Sequence, residues 1–179
     1  MRFLRWYCDR IDRLNQRIGS GVAWLTTALV LVVCYDVFTR YLLRESSVAV
    51  QEMEWHLFAF IFLLGAAYTL KADRHVRVDV FYVRLSPRLQ AWVNFLGSVL
   101  FLIPFSIMVI LTSWDYVWNS FLIGEKSPDP GGLPARYILK AAIPVGFGLL
   151  LLQGMALAFR SLLTILEKSE PDSHTEESE

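Results

Sequence analysis

Four long apolar stretches limit what this chain can fold into. The clearest begins near Leu89 and carries no charge before Asp115. At about 1.5 Å per residue, a helix over that run is about 39 Å long, more than the roughly 30 Å hydrocarbon core of a bilayer. The others are Val22–Leu43, Val48–Leu70 and Ile138–Phe159, and the third run extends over 89–122. Each reaches the roughly 20 residues needed to cross a membrane as a helix. Of the 179 residues, 55% are hydrophobic, more than a soluble domain of this size can hide.

Lipid offers backbone groups no hydrogen bonds, so each span is predicted to be a helix, despite the β-branched run "LVLVV" in the first. The expected fold is an all-α integral membrane protein: a four-helix transmembrane domain over 19–165, with short interfacial amphipathic helices. Pro104 gives the third span a reason to bend, and Pro144 falls in an early turn of the fourth.

The remaining segments differ in character. Residues 1–18 set Phe3, Leu4, Tyr7, Ile11, Leu14 and Ile18 at helical spacing among arginines, the pattern of a helix lying in the membrane interface. Five arginines precede the first apolar run, but that run is too long for a signal peptide's apolar core and lacks a clear small-residue cleavage site. "GEKSPDPGGLPAR", Gly124–Arg136, reads as an ordered loop between spans three and four. Residues 166–179 are polar and acidic, the composition of a disordered tail.

Lysine and arginine positions orient the chain. Five arginines precede the first span, five basic residues lie between spans two and three, and Arg160 and Lys168 follow span four. The opposite side holds five: Arg40, Arg44, Lys126, Arg136 and Lys140. Both termini are therefore expected in the cytoplasm. Trp114, Tyr116, Trp118 and Phe121 then form an outer aromatic belt.

The polar residues within or beside the spans are the functional candidates. Asp36 and Arg40 are an i, i+4 pair, which reads as a neutralised pair near the interface or a polar contact with a partner. Glu52 and Glu54 open span two, where the helix dipole favours acids, but two positions apart they face different sides and form no acid–base dyad. Arg40 and Arg44 across the first hairpin are their expected partners; docking to another protein and ion handling are the alternatives. His75 lacks the company a metal site needs, and His56 has no partner for haem. Cys8 and Cys34 form no CxxC and read as small apolar fillers. No cofactor is implied, and no basic surface suggests nucleic acid.

After Leu70, "KADRHVRVDVFYVRLSPR" changes character abruptly. It is expected to turn at the inner face, with Arg77 pairing with Asp79, Asp79 as an N-cap, a short interfacial helix over 80–85, and basic groups facing phospholipid.

Together, "FTRYLL", "QEMEW", "LLGAAYTLKADRHVRVDVFYVRLSPR" and the loop "SPDPGGLPARYILKAAIP" resemble the small membrane subunit of tripartite ATP-independent periplasmic (TRAP) transporters, the DctQ-like family, over about residues 15–165. The resemblance implies a non-catalytic scaffold in the bacterial inner membrane. Its partners would be a large DctM-like membrane subunit, which carries the substrate and sodium sites, and a DctP-like periplasmic substrate-binding protein. In that setting Glu125, Lys126 and Asp129 of the loop are candidates for coupling to the soluble partner. The chain has no pair of broken helices in inverted halves and no mid-membrane carboxylate cluster, which a self-sufficient transporter would show. Gly65, Ala66, Ala67, Gly146 and Gly148 allow close helix contact. Two other classes are a self-assembling proton-coupled exporter using Glu52 or Glu54, and a membrane-anchored redox or enzyme subunit.

Overall fold

The computed structural model describes residues 2–72, 82 and 85–167. The described residues are helical with short connections: α1 (Arg2–Phe38), α2 (Val48–Lys71), α3 (Pro87–Gly97), α4 (Ile103–Leu122) and α5 (Arg136–Glu167). Thr39–Leu43 extends α1 as a π-helical turn, and Ser98–Leu102 joins α3 to α4 as another. Four helical segments are thus long and apolar enough to cross a membrane: Arg2–Leu43, Val48–Lys71, Pro87–Leu122 and Arg136–Leu166.

The first segment departs from expectation. No break separates the predicted interfacial helix from the span that follows; α1 runs without interruption from Arg2. The reason is a second use for its amphipathic stripe. Tyr7 donates to the Leu152 carbonyl at 3.3 Å, and Cys8 sits 3.4 Å from that of Ala156, so this half of α1 packs along α5. Its buried residues Cys8, Asn15, Val22 and Asp36 recur in steps of seven or fourteen, the seam of left-handed helix pairing. Of the two cysteines, Cys8 is buried and Cys34 is exposed.

The third span is divided by its π-helical turn, just ahead of Pro104. A proline ring collides with the carbonyl four residues back and supplies no N–H, and a widened turn accommodates both effects. Ser86 caps the start of α3, accepting from Leu89 N at 3.4 Å. In α4, Ser106, Ser113 and Ser120 are buried at seven-residue intervals. Their hydroxyls use local acceptors, such as the Leu102 carbonyl for Ser106 at 2.7 Å, which leaves a narrow face against α5.

α5 is the centre of the bundle and packs against α1, α2, α3 and α4. Small residues bring it close to its neighbours. A Cβ on Gly146 would lie 2.7 Å from the Leu63 carbonyl oxygen of α2, and one on Gly154 would lie 2.8 Å from Leu102. Ala67 and Ala156 are fully buried. Large apolar side chains instead face outward, among them Trp24, Leu31, Phe62, Phe101 and Leu111. This inside-out pattern fits hydrocarbon as the solvent.

α5 continues to Glu167, past the expected end of the span and into the predicted tail. The remaining tail, and the turn that holds His75, Arg77, Asp79 and most of the predicted 80–85 helix, lie outside the described residues.

Candidate functional site: two polar ends of the bundle

At one end, the loop between α4 and α5 folds over the start of α2 and closes on one carboxylate. Glu52, only 4% exposed, accepts from the Ser127 hydroxyl, from Leu133 N at 2.6 Å, and from the Arg136 guanidinium at 3.4 Å. The loop supports this with its own bonds: Ser127 N to Leu133 O at 3.1 Å, Gly132 N to Asp129 O at 3.0 Å, and Arg136 N to Glu125 O at 3.0 Å. Gly132 is needed here for space, since a Cβ would stand 2.4 Å from Ser127 Oγ and 2.9 Å from Glu52 Oε2.

The expected pairing of Glu52 with Arg40 or Arg44 is therefore incorrect. Arg40 pairs with Asp36 one turn back in the same segment. The loop brings Arg136 to Glu52 instead, and its guanidinium also lies 5.5 Å from the Trp55 ring centre. Glu54 makes no such bond, and its Oε1 is buried without a partner. His56 is buried one turn below Glu52, with Nδ1 2.6 Å from the Glu52 carbonyl oxygen. That oxygen can only accept, so Nδ1 carries the proton.

Glu125 forms the second anchor. Its carboxylate takes the Ser120 hydroxyl at 2.6 Å and pairs with Lys140, whose ammonium sits 3.9 Å from the Tyr116 ring centre. The Lys140 and Ser120 hydrogen bonds hold the Glu125 carboxyl below the usual carboxylate range, against partial desolvation. Glu125 is thus committed internally, whereas Lys126 and Asp129 stand exposed on the loop. Trp114, Tyr116, Trp118 and Phe121 all project outward beside it.

The opposite end holds a network that sequence reasoning missed. Asn15 donates to Gln153 at 2.7 Å, Gln153 donates to Asp12 at 3.0 Å, and Asp12 pairs with Arg160. Lys71, at the end of α2, donates to Gln16 at 2.7 Å. The available signal was Gln153, an amide alone in an apolar run, together with Asp12 and Asn15 three positions apart on one face.

Among the described residues, no three His, Cys, Asp or Glu side chains converge to hold a metal. Both ends fasten helices to one another, and the fold they fasten is that of a multi-pass membrane protein.

The comparisons with known proteins name its kind. A family model described as "Tripartite ATP-independent periplasmic transporters, DctQ component" matches residues 29–164, and the chain belongs to that family. The match runs from within α1 nearly to the end of α5 and includes the pinned loop. The chain is also similar to the C4-dicarboxylate TRAP transporter small permease protein DctQ of Vibrio cholerae serotype O1. The two are 24% identical over 194 residues, which cover 96% of this chain and 82% of that protein. This chain is a small permease subunit of a TRAP transporter and a multi-pass protein of the bacterial inner membrane.

Proposed function

We propose that this subunit is a non-catalytic scaffold. It holds the large DctM-like subunit in the membrane and helps receive the DctP-like binding protein from the periplasm, in sodium-driven uptake of a small organic acid. The observation that carries this reading is the DctQ match over residues 29–164, from within the first span through the loop to the fourth. The relative's name makes C4-dicarboxylates the first substrates to assay. The substrate itself would not touch this chain.

Surface character and loop geometry are the support for the scaffold and docking parts. The outward apolar side chains of α1 and α4 leave faces that lipid or a large membrane partner can cover. Both termini lie in the cytoplasm by the distribution of Lys and Arg, which puts the Glu52-pinned loop in the periplasm. There Lys126 and Asp129 face the soluble partner, while Glu125 keeps the loop in shape. An exporter would need Glu52 or Glu54 to bind and release protons in a pathway. Glu52 is instead occupied by three donors at one end of the bundle.

Proteoliposomes test the proposal. Sodium-driven dicarboxylate uptake is expected only when this chain, its large subunit and its binding protein are all present. Uptake by this chain alone would overturn the scaffold assignment.

A further inference from the structure

At the end of the bundle away from the loop, a pocket of about 240 Å³ opens between α2, α3 and α5. Leu70, Lys71, Asn94, Gln153, Leu157 and Arg160 line it. Its walls differ in kind: Leu70 and Leu157 are apolar, while the other four offer hydrogen-bond donors.

Two of those donors are cations. Lys71 spends one of its three N–H groups on Gln16, and Arg160 pairs with Asp12 through one of its five. Asp12 offsets one positive charge, so the trio carries a net charge of about one positive unit. Gln153 is 2% exposed and held from both sides, accepting from Asn15 and donating to Asp12. The pair that positions Arg160 is therefore itself fixed. Asn94 is fixed too, donating to the Tyr82 hydroxyl at 2.8 Å.

We infer that this pocket binds a phosphate oxyanion, and that its source is the headgroup of an anionic membrane phospholipid. Guanidinium and ammonium groups on a preset frame suit tetrahedral oxyanions. Location and lining favour the lipid source. Lys71 closes a membrane-spanning helix, so the pocket opens at the level where hydrocarbon gives way to headgroups. Leu70, largely buried, and half-buried Leu157 give the pocket a small apolar edge, which a glycerol and acyl stem would cover and a free hydrated ion would not use. The leaflet follows from the orientation proposed above; the anion chemistry does not depend on it.

The test uses the full chain purified in neutral detergent, with native mass spectrometry as the readout. The probes are phosphatidylglycerol, phosphatidylcholine and inorganic phosphate. The chain is expected to retain one phosphatidylglycerol through delipidation, in preference to phosphatidylcholine, with inorganic phosphate unable to displace it. Lys71→Gln is expected to weaken retention about tenfold, the loss of one charge-assisted hydrogen bond, and Lys71→Arg to restore it. Circular dichroism of both variants separates lost binding from lost fold. Displacement by inorganic phosphate would keep the oxyanion site and overturn the lipid source. Equal retention of the two lipids, or by Lys71→Gln, would overturn the site.

Discussion

Gly146 and Gly148 lie two residues apart in α5, yet only one of them meets another helix. A Cβ on Gly146 would sit 2.7 Å from the Leu63 carbonyl oxygen, 3.0 Å from its carbon and 3.1 Å from its Cβ. These atoms are mostly backbone and cannot rotate away, so α2 and α5 must move apart by about half an ångström to reach ordinary contact. Overpacking of this kind costs about 1–3 kcal/mol. A Cβ on Gly148 meets nothing within 4 Å. Both substitutions gain similarly from the higher helix propensity of alanine, about 1 kcal/mol, so the difference between them isolates the packing cost. In detergent, Gly146→Ala is expected to melt about 2–12 °C below Gly148→Ala. Melting followed by intrinsic tryptophan fluorescence reads this directly. Equal melting temperatures, or Gly148→Ala as the weaker protein, would refute the close α2–α5 approach.

Three further outcomes follow from the two polar ends. Glu52→Ala removes the acceptor for Ser127, Leu133 and Arg136, so amide exchange at Leu133 is expected to accelerate at least tenfold. Asp129→Ala, which removes an exposed side chain, should leave that exchange rate nearly unchanged. Because the Glu125 carboxyl sits below its ordinary range, its contribution to loop stability is fully present above that range. It is lost as pH falls through the depressed native value. Limited proteolysis of the loop should therefore quicken on acidification, and Glu125→Gln should flatten that dependence. Finally, Gln153→Leu strands buried Asn15 and is expected to cost about 1–3 kcal/mol, while the Asn15→Leu/Gln153→Leu pair recovers most of it in denaturant titration.

What the sequence made legible was local. Each span could be read from its own run of apolar residues, because a bilayer imposes helix on any stretch long enough to cross it. Asp36 with Arg40 was readable for the same reason, since both lie on one helix four positions apart. Contacts between distant segments were hidden. Glu52 and Arg136 are 84 positions apart, and the loop that brings them together is set by Gly132 and Ser127, which resemble any turn residues. The amphipathic stripe of residues 1–18 was ambiguous for a physical reason. Packing on α5 and lying on lipid ask for the same apolar periodicity, so the stripe alone could not place the helix. The serines of α4 were legible and overlooked; their spacing of seven announces a buried seam in a segment otherwise as greasy as its surroundings.

The Glu52 carboxylate at the head of α2 also has a mechanical meaning. Through it, a load applied at the tip of the loop passes into a rod of 24 residues, about 36 Å long, rather than dying out in slack chain. That rod ends at Lys71, beside the pocket on the far face of the membrane. Tugging on one side is thus stiffly geared to the other, with a strut of backbone hydrogen bonds as the only linkage required.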